Sequence, residues 1–404
     1  MKSYDAIVIG AGPAGGTTSL CLARAGWSVA VVEKAEFPRA KVCGEFMSAT
    51  NAPLFADLGL ADFIDHAAGP QIRRVGLFAR EEVLEAAMPR MSGATQFWGR
   101  ALGRDKLDTL LLERAQAAGA ELWQPWSAAE LRREADVSIC TLTRKGESAE
   151  IAAPIVIAAH GSWERGGLPT QIQRAHRASD LLAFKAHFHG AALAGDLMPL
   201  IVFPGGYGGM VTSDSGRVSL TLCIRRDTLQ RARETSGLTH AADAVIAHVA
   251  HACRGVREAI AGAEIEGNWL AAGPINPGIR PRYSGGVFRV GNSAGEAHPV
   301  VAEGLSMAMQ SGWLVGSLLV NEDGRARRGA ALDAIGAAYA SSWHAHFAPR
   351  IRAAAVFAHL SMRPATTGLL LPLVSRFPKL LTFGARLSGK TRATEPVLSA
   401  LAGV

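Results

Sequence analysis

Gly10, Gly12 and Gly15 follow one another at the spacing of a turn that admits a pyrophosphate. The first glycine permits the tight turn. The second lets backbone approach the phosphates, and the third lets a helix pack closely on a sheet. Glu33 ends the next apolar run, where an acid accepts hydrogen bonds from an adenosine ribose. Cys43 and Glu45 flank Gly44, and Arg39 and Lys41 lie near enough in sequence to favour a thiolate at Cys43. Cys43 reads either as a reactive thiol or as a small packing residue. Glu45 reads either as an acid or base whose pKa burial raises, or as a brace for its own loop. Tyr207, with Phe203, lines an apolar pocket or packs a sheet. His298 beside Pro299 reaches a substrate or satisfies a local carbonyl. His187 and His189 share a strand face, but no further ligands stand at suitable spacing, so no metal site is expected.

These residues need elements to hold them. Tyr4 to Ile9 reads as a buried strand, Thr17 to Ala25 as a small-residue helix, and Ser28 to Val32 as a second strand. A phosphate at that helix N-terminus meets unpaired N–H groups and the positive dipole end. Arg100 to Gly119 reads as a helix with Leu107, Leu110, Leu111 and Ala115 on one face. Glu121 to Trp126, Ser138 to Thr143 and Glu150 to Ala159 read as strands. From about Ala183 to Ile224 the pattern becomes alternating strands with glycine turns, as in an antiparallel sheet. Asp243 to Ala259 reads as a helix. A strand from Gly286 to Val290 leads into a second glycine turn at Gly291 to Gly295, then into a helix from Leu305 to Leu319. The sheet between the two glycine turns looks inserted, so two domains trade chain segments.

A chain of 404 residues, 49% hydrophobic and 19% charged, can bury a large core. Asp5 and the glycines that break the first apolar run exclude a secretory signal. Five scattered cysteines without a CxxC pair indicate a reducing, cytoplasmic compartment rather than a disulfide frame. No apolar run reaches the ~20 residues that span a bilayer. The net charge is +7, and no acid stands between Ala334 and Thr394. Arg350, Arg352, Arg363, Arg376, Lys379, Arg386, Lys390 and Arg392 fall there among apolar stretches. Such a segment suits a peripheral contact with an anionic membrane or an acidic carrier protein, or a helical fold-back with a solvated basic face. No nucleic-acid motif accompanies the charge, so nucleic acid is not an expected partner.

Four stretches together resemble the flavoprotein superfamily with the p-hydroxybenzoate hydroxylase fold, which includes geranylgeranyl reductases, aromatic monooxygenases and flavin-dependent halogenases. They are the N-terminal fingerprint, Arg104 to Asp108, Ala158 to Ser162, and Arg289 to Gly295 continuing through Pro299 to Gly304. The resemblance implies FAD as cofactor. It implies a cofactor-binding set of Gly10, Gly12, Pro13, Ala14, Gly15, Glu33, Lys34, Lys41, Cys43, Arg104, Gly161, Gly291, Asn292, Pro299, Gly304 and Leu305. The implied fold is α/β: a Rossmann-like FAD-binding domain of the glutathione reductase type, interleaved with an antiparallel-sheet substrate domain and closed by a helical C-terminus. The expected divisions are residues 1–75, 98–180 and 270–330 for FAD, 76–97 and 181–269 for substrate, and 331–404 for the helical segment.

Two residues depart from the family pattern. His160 and Asn292 stand where relatives usually carry aspartate, and the first change leaves use of NAD(P)H uncertain. The loop from Pro38 to Glu45 looks most like the cysteine–glycine loop of geranylgeranyl reductases. Phe203 to Gly209 resembles their substrate-side glycines. The halogenases' Trp-x-Trp-x-Ile-Pro signature is absent. The expectation is hydride exchange between flavin N5 and a hydrophobic small molecule (isoprenoid, polyketide or aromatic), with Cys43, Glu45 and Tyr207 as catalytic candidates. A monooxygenase working through a flavin hydroperoxide is the alternative. A halogenase or an FAD-bound docking protein comes third. A separate flavin reductase is a further candidate partner.

Overall fold

The structure, a computed structural model, describes residues 1–91, 98–163, 166–172 and 175–391. Arg392, the rest of the tail and residues 92–97 of the expected substrate domain lie outside them. Ala6–Ile9 is the centre of a six-stranded sheet. It pairs in parallel with Val29–Val32 on one side and Ile155–Ala158 on the other. Glu121–Trp123 and Val287–Arg289 extend the sheet in parallel, and Tyr283–Ser284 closes one edge antiparallel. The three inner strands are buried along their length because both faces are covered, which is why they read as unbroken apolar runs.

The covering differs by face. Ala6 and Val8 join the core under helices Pro13–Arg24, Arg104–Ala117 and Gly304–Asn321. Ile7 and Ile9 point the other way, against Cys140, Leu142 and Ile151 of an antiparallel sheet. That sheet is Ser127–Glu134, Val137–Arg144 and Glu147–Ala153, with Lys2–Ser3 at its edge. The single strand expected from Glu150 to Ala159 is therefore two. Pro154 has no N–H for a ladder, and the chain passes there from one sheet to the other.

A second large sheet has seven strands. In spatial order they are Glu264–Ile275, Leu181–His189, Val218–Arg225, Gly206–Thr212, Leu197–Phe203, Arg74–Ala79 and Glu82–Ala87. All neighbours are antiparallel except Leu197–Phe203 with Arg74–Ala79. Arg74–Ala79 and Glu264–Ile275 run across the boundaries expected near 75 and 269, so this sheet takes in more chain than expected. Helices Ala241–Ala252 and Arg254–Ala259 cover one face with Val245, Val249 and Val256. They replace the one helix expected from Asp243 to Ala259, because Cys253 between them is extended.

The C-terminus is helical as far as it is described. Gly329–Ser361 runs 33 residues, followed by Pro364–Arg376 and Lys379–Leu387. The long helix docks on the parallel sheet through Tyr339, whose hydroxyl donates to the Arg289 carbonyl at 2.7 Å. Among the described residues no helix is long and apolar enough to cross a membrane.

Candidate functional site

Helix Pro13–Arg24 starts at the first glycine turn, helix Gly304–Asn321 follows the second after a short strand and a turn at Pro299–Val301, and the two cross through small residues. A Cβ on Gly312 would stand 2.3 Å from the Ala14 carbonyl oxygen, and one on Gly316 would stand 2.7 Å from the Cys21 Cβ. The two N-termini therefore meet at one cavity of about 850 Å³ between the parallel sheet and the seven-stranded sheet. Every residue expected to hold the cofactor lines it, from Gly10 and Gly12 to Gly304 and Leu305, except Gly15. Gly15 lies beneath the turn, where a Cβ would collide with the Gly10 carbonyl oxygen. The third motif joins the fourth directly: the Gly161 N–H donates to Ser293 Oγ at 3.1 Å.

The dinucleotide end is ordered by Glu33. Its carboxylate accepts from the Ala11 N–H at 3.0 Å and the Ala35 N–H at 2.9 Å, so it fixes the glycine turn as well as facing the cavity. Arg104 chelates Asp108 at 2.7 and 2.6 Å. Burial opposes the guanidinium charge, but Asp108 outweighs it and raises the pKa, so Arg104 stays cationic beside Gly12. Arg39 was legible only as a charge near Cys43, yet it lines the same wall. Its Nη2 lies 3.4 Å from Glu33, while its buried Nε and Nη1 have no hydrogen-bond partner. A cationic wall with unpaired donors, two helix N-termini and an open glycine turn fit an anionic dinucleotide.

Glu45 sits at φ +65°, is fully buried and lines the cavity. It accepts from Lys185 Nζ and lies 2.9 Å from His187 Nε2. The expectation that burial raises its pKa is corrected here. Burial does push the carboxyl up, but the His187 hydrogen bond and the Lys185 charge outweigh it and hold Glu45 at about 2. Glu45 is an ionised partner in a buried cluster. Lys185 and the part played by His187 were missed. The available signal was a lone lysine inside the apolar strand Leu181–His189.

Cys43 lines the cavity with its sulfur near Arg104, and Sγ accepts from the Glu45 N–H at 3.4 Å. Tyr207 is fully buried and lies 3.0 Å from His298 Nδ1 through its hydroxyl. Burial raises the tyrosine pKa well above its usual value, and burial with the nearby His359 lowers His298 to about 4. Phe203 packs in the sheet core and does not line the cavity. His160 bonds Thr170 through Nε2 at 2.8 Å. Glu296 is a second buried carboxylate the sequence did not flag; it accepts from Ser162 Oγ at 2.6 Å. His189 pairs with Glu266 rather than with His187. No cluster suited to a metal occurs among the described residues.

Parallel strands, two converging glycine turns and a cationic wall define a dinucleotide-binding flavoprotein. Residues 3–346 match the FAD binding domain family, and the chain belongs to it, with FAD as cofactor. The chain is 26% identical over 340 residues to digeranylgeranylglycerophospholipid reductase 1 of Methanopyrus kandleri, covering 78% of this chain and 80% of that one. It is 32% identical over 123 residues to a 1H-pyrrole-2-carbonyl-[peptidyl-carrier protein] brominase of Pseudoalteromonas luteoviolacea, a stretch spanning 30% of this chain and 29% of the brominase. Its fold is shared with the myxobacterial chondrochloren halogenase CndH, at TM-score 0.76 and 18% identity over 96% of this chain and 91% of that one.

Proposed function

We propose that this protein is an FAD-dependent oxidoreductase that exchanges hydride with a hydrophobic small molecule such as an isoprenoid, polyketide or aromatic. One observation carries the reading. The cavity that begins at the glycine turns continues into an apolar chamber between the seven-stranded sheet and the C-terminal helices. Leu77, Leu200 and Val202 form one wall, and Leu371, Val374 and Leu381 form the other. Bound FAD supplies a ring that gives or takes two electrons as hydride. Gly12, Pro13 and Ala14 hold the pyrophosphate at a helix N-terminus, and Glu33 faces the ribose. Arg39 and Arg104 neutralise charge. Gly161, Gly291, Asn292 and Pro299 bound the remainder of the cofactor. Gly304 and Leu305 bring a second helix N-terminus to it, which favours negative charge there.

The chamber excludes water and orients the reacting carbon. Tyr207 Oη and Cys43 Sγ line the cavity and are able to carry a proton. Glu45, held ionised, fixes Lys185 and His187. Residues to about 73, with 98–180 and 276–330, form the cofactor unit. The seven-stranded sheet forms the substrate unit, and the segment from 331 closes the chamber.

The test uses FAD-loaded protein, anaerobic mixing with NADPH, and a panel of prenylated lipids and quinones. The expected product differs from its substrate by two hydrogens and contains no new oxygen. Purified protein that takes up no FAD would overturn the reading, as would a product carrying new oxygen or halogen in a parallel aerobic incubation with halide present. A second reading, oxygen-dependent hydroxylation or halogenation, draws support from the brominase and halogenase likenesses. It requires substrate-dependent oxygen consumption. His160, in place of the usual aspartate, favours electrons delivered by a separate reductase or by the substrate. Failure of NADPH to bleach the flavin would select that route.

A further inference from the structure

The two helices that wall the apolar chamber have a second face. In Pro364–Arg376 and the turn after it, Leu369, Leu373 and Phe377 recur every fourth residue and are 77, 48 and 56% exposed. In Lys379–Leu387, Phe383 and Leu387 stand four residues apart and are 57 and 51% exposed, while Leu380, 40% exposed, sits at the border and also lines the cavity. Large side chains this exposed, in a continuous run over two successive helices, are far from the scattered apolar residues of an ordinary surface. Arg363, Arg376, Lys379 and Arg386 are exposed among them. No acid interrupts the sequence from Ala334 to Thr394. The acids on the neighbouring hairpin that could offset this charge are partly spent: Glu85 pairs with Arg74, and Glu81 with Arg257.

The inner face is different. Leu371, Val374, Leu381 and Ala385 line the chamber, and Thr382 Oγ1 donates to the Ala87 carbonyl at 2.7 Å. Lys390, just beyond the second helix, is buried against Glu303 at 3.0 Å. The pair is thus fastened to the body at both the sheet and the cofactor end, with its apolar outer face turned away.

We propose that helices Pro364–Arg376 and Lys379–Leu387 form a docking surface for an anionic lipid bilayer. The leucines and phenylalanines enter the acyl boundary, and the four cations meet lipid phosphates. The cations suit either anionic partner; the large exposed leucines and phenylalanines beside them select a bilayer, whose acyl boundary takes them up, over an acidic carrier protein. The same helices separate bilayer and chamber, so the apolar end of the substrate site lies against the lipid phase. This rests on the hydrophobic-substrate reading above and narrows it to substrates dissolved in a membrane.

The test is vesicle flotation of the full FAD-loaded chain, without substrate. Phosphatidylcholine vesicles are compared with vesicles that also contain phosphatidylglycerol. Expected is flotation with the anionic vesicles that falls as salt rises. Arg376→Gln with Lys379→Gln should weaken it about twenty-fivefold, roughly fivefold per cation. Phe377→Ser with Phe383→Ser should weaken it at least tenfold. None of these four residues lines the cavity, so FAD content and turnover of detergent-dispersed substrate should persist. Protein that stays unfloated with both vesicle types overturns the proposal. Variants that float as well as the parent also overturn it. So does capture by an acidic carrier protein without flotation. Turnover in detergent without flotation removes this inference alone; flotation without turnover removes the oxidoreductase reading alone.

Discussion

The Thr18 hydroxyl lies 3.2 Å from the Gly312 carbonyl oxygen, and the same hydroxyl bonds the Ala14 carbonyl at 2.9 Å. A residue in the first helix is thereby bound to one nearly three hundred positions away. The contact requires the helices to touch backbone to backbone, which the absence of a side chain at Gly312 allows. The first helix opens at its glycine turn and the second helix packs against the other turn, so this crossing fixes where both turns face. The Gly291 N–H donates to Ser311 Oγ at 2.8 Å, which ties the second turn to the side of the second helix.

Gly312→Val should therefore separate the turns. A Cβ there stands inside contact distance of the Ala14 carbonyl, a backbone atom that cannot swing aside. Overpacking of this kind costs about 1–3 kcal/mol. Expected are a lower melting temperature and weaker FAD retention together. Gly304→Ala is the counterpart: its Cβ meets nothing within 4 Å. Stability should hold while FAD affinity falls, because Gly304 lines the cavity. Calorimetry with flavin titration separates the two outcomes, and equal behaviour of the two variants would contradict the geometry.

Arg39→Gln should affect the cofactor without affecting the fold. The Arg39 side chain is only loosely paired with Glu33 and Asp108, at 3.4 and 3.7 Å, and two of its buried nitrogens have no partner. Hydrogen bonds to a charged group are worth about 1.5–3 kcal/mol. The FAD dissociation constant should rise about tenfold to a hundredfold. The apoprotein should melt within a degree or two of the parent. Unchanged affinity would place Arg39 outside the cofactor contacts.

Local patterns were legible and long-range pairings were not. The glycine turns, the strand at Ala6–Ile9 and the helix from Gly304 could be read because each is written in contiguous residues with one period. Glu264–Ile275 escaped because glycines at 267 and 273 and a proline at 274 hide its alternation. Ser127–Glu134 escaped because a surface strand with Glu130, Arg132 and Arg133 carries little apolar signal. In the site, the residue types of Cys43, Glu45 and Tyr207 were visible, but their chemistry was not. Glu45 lies 140 positions from Lys185, and nothing local reveals that a cation waits to offset its burial. Sequence spacing likewise suggested Arg39 and Lys41 as the charges near Cys43, whereas folding brings Arg104 to it.

Glu45→Gln should be costly, since it leaves Lys185 buried without its counter-charge. Breaking one side of a buried pair costs about 3–5 kcal/mol. Lys185→Met should also destabilise, and the double variant should recover part of the loss, which a double-mutant cycle measures. The pH dependence has a definite sign. Glu45 is held at about 2, below its unfolded value, so it stabilises the fold above an unfolded pKa near 4.3. That stability drains as pH falls toward 2. Acid unfolding of Glu45→Gln should lack this limb, and an identical acid profile would refute the assignment.

His298 predicts a separate acid response at milder pH. It is buried beside Tyr207, and its ring centroid lies 6.0 Å from that of His359. Burial, with His359, lowers its pKa from 6.5 to about 4. Between these values the unfolded chain takes up a proton on this imidazole and the folded chain does not. Stability is therefore complete above pH 6.5 and declines as pH falls toward 4, by at most about 3 kcal/mol. His298→Gln removes the titrating group while keeping a polar partner for the Tyr207 hydroxyl. Urea unfolding across this window should show a flatter decline for the variant than for the parent, with the two curves parallel at higher pH. Flavin content should stay unchanged, because His298 does not line the cofactor cavity. A variant that declines as steeply as the parent would show that the imidazole is not held neutral by its surroundings.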